Sequence, residues 1–233
     1  MQVLVIIPAY NEEESILSTT KAIIAAGFNY LVVNDGSRDK TLELCRKHNL
    51  NVLNLPRNLG IGGAVQAGHM YALEHDYDID IQFDGDGQHD AAYLGALVDA
   101  VEQGADIAIG SRYLENTDGF KSTFMRRVGI TWLSTWIRLF RGQTITDPTS
   151  GFRACGRRAI ELFCTTYPYD YPEPESIVTA LGNGLTVREV PVVMHERQGG
   201  QSSISPLKGA YYMIKVTLAI AISALSNRSK RAR

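Results

Sequence analysis

The sequence predicts an α/β fold, a single domain built on a doubly wound, mainly parallel sheet. Three observations carry this. Short apolar, β-branched runs alternate with helical segments as far as Gly110, the pattern of consecutive βα units. The opening run, Val3 to Ile7, is apolar throughout, as a strand covered on both faces is. Four polar clusters, "PAYNEE", "NDGSRD", "DGDGQH" and "GSRY", each follow a predicted strand. Sheets of this kind bind ligands beyond the carboxyl ends of their strands.

The elements follow in order. Val3 to Ile7 is the first strand, which Pro8 is expected to end. Asn11 is expected to cap the next helix, with Glu14 three residues on as in a capping box. Tyr30 to Asn34 is the second strand and Asp39 to His48 a helix. Val52 to Leu55 is a short strand, and Gly60 to Glu74 a helix rich in small residues. Ile79 to Phe83 is a strand, Ala91 to Gln103 a helix, and Ala105 to Gly110 a strand. Past residue 111 the alternation breaks down. Phe124 to Phe140 reads as an amphipathic helix, "TDPTSGFRA" as a loop entering a short strand, and "YPEPE" as the opening of a helix. Thr186 to Met194 reads as a strand near an edge, because Pro191 interrupts it. No linker is visible, so this half is expected to complete the same domain.

Composition narrows the function. With 45% hydrophobic and 21% charged residues the chain is ordinary globular protein, and a formal charge of −2 argues against a general nucleic-acid binder. Cys45, Cys155 and Cys164 form no C-x-x-C pair, and the first residues lack a basic leader, which points to a reducing cytoplasm. No run reaches the ~18 apolar residues of a membrane span. There is no G-x-S-x-G elbow and no Walker loop. "LGIGGAVQAG" has Val65 where a dinucleotide fingerprint has glycine.

The clusters carry the chemistry. Asp84, Asp86 and Gln88 alternate along an extended Asp-x-Asp, and three hard oxygen donors suit Mg²⁺ or Mn²⁺ completed by water and phosphate. A plain acidic turn is the other reading of the same residues. Asp35 can accept from a nucleobase or ribose, or shape a turn with Asp39 as helix cap. Gly60, Gly62 and Gly63 allow a helix N-terminus to approach a nucleotide or the sheet. Arg112, Arg126, Arg127, Arg153 and Arg197 lie in or beside loop settings and suit phosphate as well as solvent. Glu173 and Glu175 orient an acceptor or a sugar, or are helix N-terminal acids favoured by the dipole. His89 joins the acids or faces solvent. His48, His69, His75 and His195 show no ligand spacing.

"PAYNEE", "DGSRDKT", "RNLGIGGA", "DGDGQHD", "GSRY", "DPTSGFRA" and "ERQGGQSS" occur in this order. Together they resemble the family 2 glycosyltransferases of the GT-A (Rossmann-like) fold, and within them the dolichyl- and polyprenyl-phosphate sugar synthases. The resemblance spans roughly residues 2 to 205 and implies a nucleotide-sugar donor, Mg²⁺ or Mn²⁺, and a polyprenyl phosphate acceptor. Similarity to bacterial members points to UDP-GlcNAc or UDP-glucose, undecaprenyl phosphate and cell-envelope polysaccharide. Carried across, Pro8, Ala9, Tyr10, Glu12, Asp35, Gly62, Asp84 and Gly85 hold the nucleotide sugar. Asp84, Asp86 and Gln88 bind the metal. Asp86, Arg112, Asp147 and Arg197 are the catalytic set, and Arg126, Arg127, Ser150, Arg153, Glu173 and Glu175 face the acceptor. Two departures stand out: "DPTSGFR" is one residue longer than the D-x-S-G-F-R form, and Ser203 replaces the lysine of R-x-x-G-x-S-K.

Residues 1–205 are thus expected to form the catalytic domain. Residues 206–233 form an apolar stretch with a basic end, read either as a core helix or as an element at the inner membrane face, with a small membrane protein as a candidate partner. The rival functions are a GT-A enzyme acting on a saccharide or protein hydroxyl, and a non-catalytic nucleotide-sugar-binding protein.

Overall fold

A computed structural model describes residues 1–114, 124–170, 172–195, 213 and 215–222, except for the side chains of 124–126. Seven strands form one sheet in the order β3-β2-β1-β4-β6-β5-β7. The strands are β1 (Val3–Ala9), β2 (Asn29–Asn34), β3 (Val52–Asn54), β4 (Ile79–Gln82), β5 (Ile107–Ser111), β6 (Arg153–Gly156) and β7 (Val187–Pro191). The helices are α1 (Ile16–Ala25), α2 (Thr41–Lys47), α3 (Gly60–Glu74), α4 (Leu94–Glu102), α5 (Phe124–Arg141), α6 (Arg157–Thr165) and α7 (Pro172–Gly182). Residues 215–222 are also helical.

The apolar run of β1 is explained by burial on both faces. Leu4 and Ile6 point into one core, with Val65 of α3, Leu133 of α5, Phe163 of α6 and Ile177 of α7. Val5, Ile7 and Ala9 point into the other, with Ile16 and Ile23 of α1, Cys45 of α2 and Leu97 of α4. This is the period-two division of a strand between two helical layers.

The structure modifies several expectations. The sheet is mainly parallel as expected, but β6 lies antiparallel between β4 and β5, because the chain returns across the sheet after α5. Pro8 does not end β1. Pairing to β4 stops at Ile6, so β1 continues through Pro8 along β2 alone, where a missing N–H is tolerated as on an edge. Asn11 does not cap α1. Its φ is 58° and its Oδ1 accepts from the Arg38 amide at 2.8 Å, while α1 begins only at Ile16. Asp39 lies one residue before the cap position, Lys40, and its side chain accepts the Thr41 amide at 2.9 Å. Helix α6 was not anticipated at all. Its buried residues, Ala159, Ile160 and Phe163, do fall at helical spacing, but the helix has only nine residues and follows directly on β6.

Candidate functional site

The site grows from the carboxyl ends of β1, β2, β4 and β5. The first two clusters are stitched together. The Asn11 amide donates to Ser37 Oγ at 3.0 Å, the Glu12 amide to Thr41 Oγ1 at 2.8 Å, and the Glu13 amide to Asp39 Oδ2 at 3.1 Å. The acidic loop packs against them: a Cβ on Gly85 would lie 3.3 Å from the Pro8 carbonyl and 3.4 Å from Glu12 Cγ. Pro8, Ala9, Glu12, Asp84 and Gly85 therefore do share one edge. Tyr10 stands exposed beside them.

Within the loop the two aspartates differ. The Asp84 side chain is 35% exposed, and its Oδ1 accepts from Gln82 Nε2 at 3.1 Å. Asp86 is buried, and its Oδ1 accepts the Gln88 amide at 3.0 Å. Gly87, at φ 75°, supplies the left-handed turn between them and Gln88. His89 is not a solvent-facing turn residue. It is buried, stacked on Phe152 at 4.7 Å, and its Nδ1 accepts the Asp84 amide at 3.0 Å. That bond fixes the proton on Nε2, 3.6 Å from Asp84 Oδ2. Burial holds the imidazole below its usual range although Asp84 and Asp86 pull the other way. His89 thus lies beneath the acids and holds the loop by accepting the Asp84 amide.

A second wall comes from the loop after α5. A Cβ on Gly151 would sit 2.9 Å from Asp84 Oδ2 and from Gln82 Nε2, so glycine lets this backbone meet both side chains without displacing them. Two buried polar atoms nearby, Gln82 Oε1 and Ser150 Oγ, have no hydrogen-bond partner. With the partly exposed Asp84 carboxylate bonded to Gln82, they fit a site that takes a polar ligand. The hard oxygen donors of Asp84, Asp86 and Gln88 fit Mg²⁺ or Mn²⁺.

The model of the glycosyl transferase family 2 matches residues 4–163. The chain belongs to glycosyl transferase family 2. It is 33% identical to polyprenol monophosphomannose synthase of Mycolicibacterium smegmatis over 91% of this chain and 84% of that one. It is 29% identical to the UDP-N-acetylglucosamine–dolichyl-phosphate N-acetylglucosaminyltransferase of Methanococcus voltae over 80% and 83% of the two chains. Its fold is GT-A. Glucosyl-3-phosphoglycerate synthase of Mycobacterium tuberculosis, solved with Mn²⁺, uridine diphosphate and glucosyl-3-phosphoglycerate, superposes with a TM-score of 0.71 at 20% identity. The match covers 96% of this chain and 79% of that one.

In this family 2 glycosyltransferase several of the sequence-predicted residues are engaged by the protein itself. Gly62 serves close packing. A Cβ there would lie 2.1 Å from the Pro168 carbonyl, and its amide donates to the Tyr169 carbonyl at 3.2 Å. The α3 N-terminus is likewise occupied by protein: Asp35 accepts the Leu59 and Gly60 amides at 2.6 and 2.9 Å. Burial pushes the Asp35 carboxyl up, against these two donors. Arg153 does not reach outward. It is 2% exposed, and its guanidinium donates to the Ser150 and Glu173 carbonyls and to Ser176 Oγ, fastening the Gly151 loop to the start of α7.

Arg112 and Asp147 form a bidentate pair at 2.6 and 2.7 Å, with the Asp147 side chain fully buried. Asp147 therefore holds the Arg112 guanidinium in place, and its own amide is held by Glu189 of β7 at 2.8 Å. Glu189 also accepts from the Thr146 amide and hydroxyl. The sequence reading missed Glu189, which carries no signal of its own: Arg188 beside it in β7 is charged as well. It also set aside His195, whose amide donates to the Gln88 carbonyl at 2.9 Å and whose ring lies 3.3 Å from Asp90. Glu173 and Glu175 are both raised by burial but have different neighbours. Burial and then Asp84 push the Glu173 carboxyl up, while Arg153 pulls it down; Glu175 is raised by burial and by Asp170. Arg127 stands exposed on α5. The Arg126 side chain, Arg197 and the rest of "ERQGGQSS" lie outside the described residues.

Proposed function

We propose that this enzyme moves a hexose from a nucleotide sugar onto a polyprenyl phosphate with inversion at the anomeric carbon. The observation that carries the reading is the meeting of Asp84, Asp86 and the Gly151 loop at one edge, in a chain similar over most of its length to two polyprenyl-type phosphate sugar transferases. An acceptor phosphate oxygen bonds to the anomeric carbon as the bond to the nucleoside diphosphate breaks on the opposite face. Asp84, Asp86 and Gln88 are the residues that would hold Mg²⁺ or Mn²⁺. When bound, the ion supplies positive charge against the departing diphosphate. Arg112, fixed by Asp147, adds a second positive charge beside Asp84. The acceptor needs no strong base, since a phosphate monoester has its second pKa near about 6.

The two relatives' names carry mannose and N-acetylglucosamine, so the donor panel is GDP-mannose, UDP-GlcNAc and UDP-glucose. Purified enzyme with undecaprenyl phosphate and Mn²⁺ should carry label from one of them into the organic phase. Release of nucleoside diphosphate with label found only on water or added saccharides would overturn the lipid acceptor.

Glu173 favours a second reading, a hydroxyl acceptor, because a raised carboxyl beside Asp84 is where a general base would stand. Glu173→Gln separates the two. With a phosphate acceptor the acid limb of the pH–rate profile stays near about 6; with a hydroxyl acceptor the limb and most of the rate disappear. Stability follows from the same shift. A carboxyl raised in the fold favours folding at low pH and loses that contribution as pH rises through its folded value. Glu173→Gln should therefore raise Tm at neutral pH, and the gain should vanish in acid.

The membrane is the proposed setting. Among the described residues no helix is long and apolar enough to cross a bilayer. Val128, Trp132 and Leu139 form an exposed stripe on α5, and Leu218 and Ile222 another on residues 215–222. Trp132 Nε1 donates to Thr217 Oγ1 at 2.9 Å and joins the two. Paired apolar stripes with a tryptophan suit the interfacial layer of a lipid surface. Flotation with anionic vesicles should show binding, and Leu139→Glu with Ile222→Glu should lose it without a change in Tm. Equal flotation of the variant would remove this face from the account.

A further inference from the structure

Beneath the sheet edge, on the face covered by α3 and α6, lies a polar cluster that sugar transfer does not use. His69 of α3, Asp80 of β4 and Cys155 of β6 are 2%, 0% and 1% exposed. Asp80 and Cys155 are directly opposed in the antiparallel pairing of β4 with β6. One donor atom from each of the three residues lies within 4.8 Å of the other two. His69 Nδ1 meets Asp80 Oδ2 at 2.6 Å, which leaves His69 Nε2 and Asp80 Oδ1 buried with no hydrogen-bond partner. The surroundings offer little to solvate them: the imidazole packs against the rings of Phe163 and Tyr167 at 5.4 and 5.1 Å.

The two orphaned polar atoms call for partners, because a buried polar group left unpaired is costly. The chemistry of the donors selects it. An imidazole nitrogen, a carboxylate oxygen and a sulfur are the ligand types of Zn²⁺, whereas Mg²⁺ and Mn²⁺ prefer oxygen alone. The thiol fits the same role. Burial and the Asp80 charge keep Cys155 protonated well above its usual range, and only a coordinated cation would make its thiolate favourable here.

We propose that His69, Asp80 and Cys155 form a buried site for a borderline divalent cation, Zn²⁺ foremost, separate from the hard-oxygen site of Asp84, Asp86 and Gln88. The ion would tie α3, whose N-terminus Asp35 clamps, to β4, which delivers the acidic loop, and to β6, which begins at Arg153. Its task is structural, and its binding free energy adds to folding.

The test is metal content and cobalt spectroscopy of the full chain, purified without metal-affinity resin and dialysed against a mild chelator. The site predicts about one Zn²⁺ per chain, retained in Asp86→Asn and lost in Cys155→Ser. Cells grown with Co²⁺ should give protein with a thiolate-to-cobalt charge-transfer band, absent from Cys155→Ser. Should Cys155→Ser fail to fold, the wild-type reading still decides. No tightly held ion and no thiolate–cobalt band in the wild-type chain would overturn the proposal and leave a bridging water or the bare His69–Asp80 pair. Zinc that disappears in Asp86→Asn but persists in Cys155→Ser would overturn it equally, by assigning the ion to the acidic loop.

Discussion

Asp86→Asn is expected to reduce the transfer rate by about 10²–10³-fold, the scale of losing one electrostatic contact to developing charge. The asparagine keeps an oxygen to accept the Gln88 amide, which Asp86 Oδ1 holds at 3.0 Å, so the loop keeps its turn while the carboxylate charge is gone. Asp84→Asn should behave alike, since its Oδ1 can still accept from Gln82 Nε2. Initial rates at a series of Mn²⁺ concentrations, with Tm beside them, make the measurement. Unchanged rate and unchanged metal dependence in Asp86→Asn would remove the acidic loop from the chemistry.

Asp147→Ala should be the most destabilising single change at the site. Arg112, 9% exposed, would be left without its bidentate partner. Breaking a buried pair from one side costs about 3–5 kcal/mol. A urea unfolding midpoint would show it. Replacing both partners, as in Arg112→Met with Asp147→Leu, should recover much of that stability, because neither charge is then stranded. It should not recover activity, because the positive charge beside Asp84 is lost. Recovery of both would reduce Arg112 to a packing role.

These two cases show what could be read from the sequence. The β–α alternation and the four clusters at strand ends were legible because they are local: β-branched runs, glycines and acids each announce their conformation within a few residues. Helix α3 was read to the residue, Gly60–Glu74. What escaped depends on pairing between distant segments. Nothing near Arg153 announces that its guanidinium will be enclosed by Ser150, Glu173 and Ser176. Nothing near Glu189 says that it will hold amides 42 and 43 residues earlier. Asn11 and Glu14 have capping-box spacing, but "PAYNEE" finds stronger partners in the Ser37–Thr41 loop, and tertiary hydrogen bonds displaced the local motif. A buried arginine and a solvated one look alike in sequence; the surrounding carbonyls decide, and they come from elsewhere.

The measurement that bears most directly on the central claim is the rate of sugar transfer to undecaprenyl phosphate against undecaprenol, with Mn²⁺ present or removed by chelation. The account predicts metal-dependent transfer to the phosphate and none to the alcohol, since the acceptor brings its own ionised oxygen and the site need not deprotonate one. Comparable transfer to the alcohol, abolished by Glu173→Gln, would contradict it and establish Glu173 as the base of a hydroxyl-directed enzyme.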